Sequence, residues 1–326
     1  MGFWDDARVL VTGGAGFIGS HVVDELLRRG KGLRVAVADD LSRGSLDNLR
    51  GSLDRVHLEK TDLSVPEECR RVCDGQDLVL HLAAKVGGVG YNAAHPATMF
   101  RENVRLDSNI IEAASLSRVK RLLVVSSACV YRHHCTIPTP ESEGFLDWPE
   151  GTNEGYGWAK RMAEFEAMAA GKEHGLRCAV VRPCNAYGPR DHFDEESSHV
   201  IAALIRRVTA GEDPLLVWGD GKSTRSFLYA EDFARGLLDL FERCQDADPV
   251  NLGTEEEVSI GDLASMIVRL AGSSARIVFD PSKPSGQPRR RCDIAKSRRI
   301  AGFAPRVGLE EGLRRTLAWY KESYGA

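Results

Sequence analysis

The chain has 326 residues, of which 43% are hydrophobic, so it is long enough to bury the core of one large domain and a smaller one. Its 43 Lys and Arg residues and 47 Asp and Glu residues give a formal net charge of -4, with both signs scattered along the sequence. This distribution argues against a nucleic-acid partner, and the lack of any run of about 18 apolar residues argues against a membrane span.

The start of the sequence and its cysteines indicate the compartment. No basic region followed by an apolar run stands at the beginning, so we expect the protein to stay in the cytoplasm. The eight cysteines lack paired C-x-x-C spacing, which predicts neither a zinc site nor a disulfide framework. We therefore expect no metal, and we expect most of the thiols to be buried as small apolar side chains.

Short apolar runs alternate with amphipathic stretches in the first half of the chain. The predicted strands lie at residues 8–12, 33–38, 77–83, 121–126 and 177–182, and the first predicted helix lies at residues 17–29. This alternation is the βαβ pattern of a parallel sheet covered by helices on both faces. The sequence therefore predicts an α/β fold with a Rossmann-type, doubly wound parallel sheet.

The pattern becomes less regular beyond Pro183. The later segments are predicted loops at residues 185–198, 218–226 and 280–291, a strand at residues 250–253, and helices at residues 260–271 and 309–323. We expect the late strand to return to the sheet. The chain is therefore predicted to divide into a first domain, residues 1–183 with about 227–253, and a smaller C-terminal lobe, residues 184–226 and 254–326.

Three glycines, Gly13, Gly16 and Gly19, stand between the first predicted strand and the first predicted helix. Glycines at such a junction let the backbone turn sharply and let a pyrophosphate approach the helix N-terminus. Asp39 ends the next predicted strand, where it could accept hydrogen bonds from both hydroxyls of an adenosine ribose and repel a 2′-phosphate. The pattern predicts a dinucleotide site that favours NAD over NADP, although Arg43 could offset the repulsion.

A candidate redox centre is formed by Tyr156 and Lys160, which lie one turn apart on one face of a predicted helix. A neighbouring ammonium group and a cationic nicotinamide ring would both lower the pKa of the tyrosine and make it a usable proton acceptor. Ser127 ends a preceding predicted strand, where its hydroxyl could hold a sugar alcohol. These three side chains predict a site for hydride transfer at an alcohol carbon.

Together with the glycine turn, these residues resemble the extended short-chain dehydrogenase/reductase family over about residues 8–320. The resemblance implies a cofactor domain at the N-terminus and a sugar-nucleotide lobe at the C-terminus. It also implies that hydride passes between a sugar carbon and nicotinamide, with Tyr156 as acid or base and Lys160 also bound to the nicotinamide ribose. The cofactor contacts that follow are Gly13, Gly16, Phe17, Ile18, Gly19, Asp39, Asp62, Leu63, Ala83, Ala84, Lys85, Asn103, Tyr156, Lys160, Pro183 and Asn185.

Four local strings, at residues 84–88, 127–131, 197–201 and 218–227, are similar to the GDP-L-fucose synthase and GDP-mannose 3,5-epimerase families. Both families invert carbons 3 and 5 of a hexose beside a ketone at carbon 4, which needs two proton-transfer groups. The resemblance places Cys129 and His199 in these roles. A thiol and an imidazole suit them, since both can exchange a proton near neutral pH when their surroundings allow it.

The same resemblance implies which residues hold the nucleotide-sugar. They are Lys85, Gly87, Gly88, Asn185, His199, Val200, Arg207, Trp218, Arg225, Lys283 and Arg289. Arginine suits a diphosphate because its planar guanidinium can donate two hydrogen bonds at once. The substrate is therefore expected to be a nucleotide-diphosphate sugar, with GDP as its nucleotide.

The two families differ in whether the cofactor is consumed. A fucose synthase reduces the ketone with NADPH, whereas an epimerase can oxidise carbon 4, exchange protons and return the hydride with one NAD. Asp39 and Asp40 favour the second cycle, so we expect an NAD-dependent epimerase, with the fucose synthase as the alternative. A binding protein without turnover is disfavoured by the intact Ser127, Tyr156 and Lys160. A decarboxylase, 4,6-dehydratase or 4-epimerase remains open, but none would require both Cys129 and His199.

The resemblance also implies a homodimer. Family members pack the helix that carries Tyr156, together with the helix before it, here predicted at residues 102–115, against the same pair in a second subunit. We therefore expect a four-helix interface.

Overall fold

Seven parallel strands form the centre of the protein in the computed structural model, which describes residues 2–195, 198–283 and 287–325. Together with the strands of the smaller sheets, the strands of the described residues are β1 (Arg8–Thr12), β2 (Arg34–Asp39), β3 (Val56–Lys60), β4 (Leu78–His81), β5 (Arg121–Val125), β6 (Arg177–Pro183), β7 (Asn185–Tyr187), β8 (Leu215–Trp218), β9 (Thr224–Arg225), β10 (Phe227–Tyr229), β11 (Val250–Leu252), β12 (Val258–Ser259), β13 (Ile277–Asp280) and β14 (Arg289–Arg290). The central sheet has the order β11-β6-β5-β4-β1-β2-β3.

Helices cover both faces of this sheet and build the smaller lobe. They are α1 (Phe17–Leu26), α2 (Pro66–Cys73), α3 (Val89–Ala94), α4 (Pro96–Leu116), α5 (Glu154–His174), α6 (Val200–Thr209), α7 (Ala230–Arg243), α8 (Ile260–Ala271), α9 (Ala295–Ala301) and α10 (Leu309–Tyr324). Within the described ranges, no helix is both long and apolar enough to cross a membrane.

The alternation of side chains along β1 shows why the sheet has two cores. Val9 and Val11 pack with α1 and α7 on one face, whereas Leu10 packs with α2, α4 and α5 on the other. Successive residues of a strand point to opposite faces, so a strand that is apolar throughout needs helices on both sides. The predicted doubly wound sheet is confirmed.

The smaller lobe has its own core between α6, α8 and α10, under the parallel pair β8 and β13. A second small sheet lies beside it, in which β9 pairs with β12 on one side and with β14 on the other. Two strands connect this lobe with the large sheet. β6 leads directly into β7, and β11 pairs with β6, as expected. The division of the chain into two domains stays a prediction.

Parallel strands place the site at one edge of the sheet. β1, β2, β4, β5 and β6 all point the same way, so the residues that follow them meet beyond their carboxyl ends. Ligands of open α/β sheets bind at this edge. The glycine turn, the end of β2 and the segments that begin at Leu82, Ser126 and Cys184 are thereby brought together.

Three expectations about the elements are wrong. Residues 185–187, 224–225 and 289–290 were expected in loops but form β7, β9 and β14. These strands have two or three residues each, too short for a local alternating pattern, and each is fixed by a partner far away in the sequence. The helix expected at residues 102–115 is longer and begins at Pro96, a residue that suits the first turn of a helix.

Candidate active site

The turn between β1 and α1 is closed tightly by Gly19. A Cβ added at this position would lie 2.0 Å from the carbonyl oxygen of Gly13, so the first turn of α1 can pack here only without a side chain. α1 begins at Phe17, with Ile18 in its first turn, and its cap at Gly16 has no side-chain hydrogen bond. Free backbone N–H groups at a helix start can bind a phosphate, so this turn fits a dinucleotide.

Asp39 faces this turn from the end of β2. Its Oδ2 accepts a hydrogen bond from the backbone N–H of Ala15 at 3.0 Å, and its Oδ1 accepts one from Leu41 at 2.9 Å. Burial raises the pKa of this carboxyl above its usual value. A carboxylate held beside the glycine turn is placed to receive the hydroxyls of an adenosine ribose.

The other predicted cofactor residues lie at neighbouring strand ends. Asp62 and Leu63 follow β3, where Asp62 is exposed and Leu63 is buried, and Ala83 and Ala84 follow β4 and are half-buried. These residues are therefore at the edge where the sequence predicted them.

Asn103 is fully buried on α4, and its amide is occupied by the protein. Its Oδ1 accepts from the backbone N–H of Lys85 at 2.9 Å, and its Nδ2 donates to the carbonyl oxygen of Lys85 at 3.0 Å. Asn103 thus holds the segment at Lys85, whose side chain is exposed, and any effect on a cofactor would pass through that segment.

Ser127, Cys129 and Tyr156 are brought together by the contact between α5 and the turn after β5. The Oγ of Ser127 accepts the backbone N–H of Cys129 at 3.1 Å and begins a short 3-10 helix at residues 128–130. A Cβ added at Gly157 would lie 2.4 Å from the carbonyl oxygen of Cys129. The start of α5 therefore rests directly on this turn, and all three side chains are half-buried.

Lys160 is buried one turn after Tyr156, and its Nζ lies 5.8 Å from the centroid of the tyrosine ring. The ammonium donates to Asp107 on α4, at 3.1 Å to Oδ1 and 3.2 Å to Oδ2. Its charge is thus balanced inside the protein rather than left to act on the tyrosine alone.

The expected lowering of the pKa of Tyr156 by the protein is wrong. Burial raises this pKa, and the neighbouring Cys129 and Asp107 raise it further. A low dielectric environment disfavours the charged phenolate, and the carboxylate of Asp107 offsets the nearby ammonium. A tyrosine in these surroundings needs the positive charge of a bound oxidised nicotinamide to become a base near neutral pH.

Arg290 is the cation that reaches Cys129. Burial lowers the pKa of its guanidinium, but the neighbouring Cys129, together with Cys292 and Cys184, holds that pKa above its usual value. Register pairing of β9 and β14 places Arg290 beside Arg225. Burial, followed by the charge of Arg290, lowers the pKa of Arg225 to about 10.

His199 stands immediately before α6 with an exposed side chain. Its Nδ1 lies 3.9 Å from Oδ1 of the buried carboxylate of Asp191. Partial desolvation of the imidazole lowers the pKa of His199, but the Asp191 carboxylate outweighs this and raises the pKa above its usual value. The histidine therefore carries a partner suited to holding it as a proton donor.

The remaining predicted substrate residues differ in how far they are exposed. Gly87 is buried, Gly88 and Val200 are half-buried, and Trp218 and Lys283 are exposed. Asn185 donates through Nδ2 to the carbonyl oxygen of Ser226 at 3.1 Å, and Pro183, next to it, is buried at the end of β6.

Arg207 and Arg289 form ion pairs within the smaller lobe. Arg207 binds Glu212 through both ends of its guanidinium, with Nε at 2.7 Å. Arg289 is exposed and binds Glu257 at 2.7 and 2.8 Å. The structure thus directs Arg290, rather than Arg289, towards Cys129. Two parts of the predicted segments lie outside the described residues: Ser197, in the string at residues 197–201, and residues 284–286, in the predicted loop at residues 280–291.

Two groups near the site escaped the sequence reasoning: Arg290, and the pair His81 and Asp107 beneath Lys160. Arg290 was hidden in a run of three arginines, and one residue of strand register decides which of them faces the cleft. An acidic residue inside an otherwise amphipathic helix was the available signal for Asp107. Among the described residues, no three His, Cys, Asp or Glu side chains are grouped to hold a metal.

Comparison with known proteins gives consistent matches along the chain. Residues 9–253 match the family model described as the NAD dependent epimerase/dehydratase family. The chain is 34% identical over 321 residues to a GDP-L-fucose synthase of Sinorhizobium fredii (strain NBRC 101917 / NGR234), with 96% of this chain and 95% of that protein covered.

Two further proteins extend this similarity. A GDP-mannose 3,5-epimerase of Arabidopsis thaliana is 31% identical over 327 residues, with 98% of this chain and 84% of that protein covered. The crystal structure of a UDP-glucose 4-epimerase with UDP-glucose from Thermotoga maritima superposes with a TM-score of 0.88 at 30% identity, covering 97% of this chain and 99% of that one.

Proposed function

Because the chain belongs to the NAD dependent epimerase/dehydratase family, we propose that it is an NAD-dependent epimerase of a GDP-mannose-type hexose. The resemblance to the fucose synthase and mannose epimerase families is confirmed, and the chain is an enzyme of the sugar-nucleotide epimerases and reductases. The choice of NAD, of a GDP-linked sugar and of a cycle without net reduction is the proposal.

The reaction would begin at carbon 4 of the sugar. Ser127 would hold the hydroxyl there while Tyr156 removes its proton. Bound NAD would supply the acceptor for the hydride of carbon 4 and its source when the hydride returns. The resulting ketone acidifies the hydrogens at carbons 3 and 5, where Cys129 and His199 would remove and return protons.

The position of Cys129 carries this proposal. Cys129 shares the turn of Ser127, and its thiol lies close enough to Tyr156 and Arg290 to influence the pKa of both. Oxidation at carbon 4 alone needs no second proton-transfer group at this place, whereas proton exchange at a neighbouring carbon needs one, and a thiol can serve. His199, paired with Asp191, supplies the second proton-transfer group that inversion at two carbons requires.

Two arginines support a diphosphate substrate. Arg225 and Arg290 lie side by side on paired strands, and burial, followed by the like charge of Arg290, lowers the pKa of Arg225. A diphosphate between them would relieve this repulsion and accept hydrogen bonds from both guanidinium groups. GDP as the nucleotide rests on the two GDP-sugar relatives alone.

Asp39 supports NAD as the resident cofactor. Its carboxylate faces the glycine turn with both oxygens already held in place by backbone N–H groups. A 2′-phosphate at this position would meet a buried negative charge, which is unfavourable.

The second candidate is a GDP-L-fucose synthase, an epimerase and reductase that uses NADPH. It is favoured by the 34% identity to the Sinorhizobium fredii protein, against 31% for the mannose epimerase. Both candidates use Cys129 and His199 in the same way and differ in the fate of the hydride.

Cofactor release separates the two. The purified protein is denatured and the released nucleotide identified by mass, and a second sample receives GDP-mannose without added reductant. Retained NAD with a new GDP-hexose isomer supports the epimerase. Protein that is inert to GDP-mannose, but oxidises NADPH with the 4-keto-6-deoxy sugar, establishes the synthase instead. UDP-glucose serves as the control for the nucleotide.

A homodimer through α4 and α5 is part of the proposal. These helices pack against each other, with Ser108 donating to Glu166 at 2.8 Å. Phe100 on α4 and Phe165 on α5 are 40% and 61% exposed and present apolar surface on both helices. A second copy would cover them.

A further inference from the structure

A buried chain of hydrogen bonds connects the glycine turn with Lys160. Thr12, the last residue of β1, lies 2.7 Å from His81, measured from Oγ1 to Nδ1. His81 lies 3.0 Å from Asp107, measured from Nε2 to Oδ1, and Asp107 binds Lys160 at 3.1 and 3.2 Å. All four residues are at most 2% exposed, so bulk water does not supply alternative partners.

Thr12 fixes the tautomer of His81. The Thr12 Oγ1 accepts the backbone N–H groups of Leu82 and Ala83, both at 3.2 Å. A hydroxyl has two acceptor lone pairs and one proton, and both lone pairs are used here. The proton is therefore donated to Nδ1 of His81, which leaves the imidazole proton on Nε2, facing Asp107. His81 is a neutral donor in this arrangement.

Asp107 receives one neutral and one charged donor. Burial raises the pKa of its carboxyl, but the charge of Lys160 and the hydrogen bond from His81 outweigh burial and hold the pKa below its usual value. The carboxylate is therefore ionised and balances the ammonium. A buried ammonium without such a partner would lose its proton readily.

The other titratable groups around this chain act on Tyr156 or Asp107. Cys129, from the turn after β5, faces Tyr156 and raises its pKa. Glu166 on α5 lies near Asp107 and is held by Ser108 from α4. Neither group contacts Lys160 by a hydrogen bond in the structure, so Asp107 is the carboxylate that balances this ammonium.

We propose that Thr12, His81 and Asp107 are positioning residues that keep Lys160 a charged ammonium fixed in direction beside Tyr156. The chain of hydrogen bonds ends at Thr12 among buried backbone groups. It therefore sets the charge and the orientation of Lys160 and does not conduct protons to solvent. It also links β1, just before the glycine turn, to the lysine of the redox centre. The part that concerns turnover rests on the proposed function of Tyr156.

Asp107→Asn removes the charge with little change of shape. Loss of a negative charge beside Tyr156 and Lys160 makes both groups release protons at lower pH. We expect the acid limb of the kcat/KM profile to move to lower pH by about one unit, and the plateau to fall about 10-fold, because part of Lys160 becomes neutral. Asp107→Glu, which keeps the charge, should restore the position of the limb.

Glu164→Gln is the matched control. Glu164 is a fully buried carboxylate on α5, the helix of Lys160, and it forms its ion pair with Arg182 at 2.7 Å rather than with Lys160. Both variants should be less stable to heat, but only Asp107→Asn should shift the pH profile. A profile that stays in place in Asp107→Asn, with only stability reduced, would overturn the proposal.

The tautomer is tested without turnover. Nitrogen NMR of the isotope-labelled holoenzyme, with His81→Gln to identify the signal, should show a neutral imidazole protonated at Nε2. Thr12→Val should disturb that signal, whereas Thr12→Ser should keep it. A proton on Nδ1, or a doubly protonated ring near neutral pH, contradicts the chain. If the tautomer is found but no sugar is epimerised, the proposed function fails and the positioning role stands.

Discussion

Cys129 combines three features that a buried structural thiol does not need. It is half-buried rather than fully buried, its backbone N–H is held by Ser127, and its sulfur lies close enough to Arg290 to influence the pKa of that guanidinium. By comparison, five of the eight cysteines are buried, as expected of most, and Cys178 is an example in which burial alone raises the pKa to about 12. Cys135 and Cys184 are also half-buried, so the chemistry is assigned to Cys129 by its place in the turn of Ser127.

Cys129→Ala is expected to separate the two halves of the reaction. Removal of one proton-transfer group should lower proton exchange at carbons 3 and 5 about 100-fold or more, while hydride transfer at carbon 4 persists. The checks are product formation and the absorbance of reduced cofactor on addition of GDP-mannose. Cys135→Ala, at a half-buried cysteine bonded to the Arg132 carbonyl oxygen, is the control. Full epimerisation by Cys129→Ala would return the choice to a 4-epimerase or dehydratase.

The pH dependence at high pH is expected to report His199. Its pKa is raised by Asp191, so a step that needs protonated His199 proceeds below this pKa and is lost as pH rises through it. Asp191→Asn removes the raising carboxylate, and the alkaline limb should therefore move to lower pH. The measurement is the rate of epimerisation against pH in both proteins. An alkaline limb that does not move would show that another group titrates there.

At the scale of elements, the contact between α5 and the turn after β5 sets the geometry of the site. The helix and the turn meet at Gly157. A Cβ added there would lie 2.4 Å from the carbonyl oxygen of Cys129. Gly157→Ala should push α5 away from the turn, cost about 1–3 kcal/mol of stability and lower kcat. Thermal unfolding and steady-state kinetics are the checks.

Gly90→Ala is the control for this prediction. Gly90 lies on α3 with open space around an added Cβ, so alanine there should leave stability unchanged or slightly raise it. Equal activity of Gly157→Ala and the parent enzyme would mean that the start of α5 does not position Tyr156.

The elements of the large sheet could be predicted from the sequence because their signals are local. Apolar runs gave the strands, and glycines and strand ends gave the edge where Asp39, Ser127 and Ala83 meet. The short strands β9 and β14 could not be predicted, since they are held by pairing between distant segments.

The same physical limit explains which site residues were missed. Arg290 faces Cys129 because β14 pairs with β9 in one register, and a shift of one residue would present a different arginine. Asp107 reaches Lys160 because α4 packs beside α5. Side chains that depend on non-local packing leave no periodic trace in the sequence.

For the whole molecule, we expect a dimer and a catalytic cycle that retains its own cofactor. Phe165→Glu, at the most exposed aromatic side chain of α5, should place a charge in the proposed interface and give a monomer. Leu53 is an exposed apolar residue just before β3, the strand at one edge of the central sheet. The Leu53→Glu variant should remain a dimer. Light scattering at micromolar concentration is the measurement, and a monomeric parent protein would contradict the interface.

The central claim is that one bound NAD supports proton exchange at two carbons of a GDP-hexose without net reduction. The most direct measurement is incubation of the purified enzyme with GDP-mannose in deuterated water, without added cofactor, followed by NMR of the recovered sugar. We expect deuterium at carbons 3 and 5 of the recovered sugar, none at carbon 4, and unchanged NAD on the enzyme. Recovered GDP-mannose free of deuterium, with enzyme that epimerises only the 4-keto-6-deoxy sugar and consumes NADPH, would contradict it.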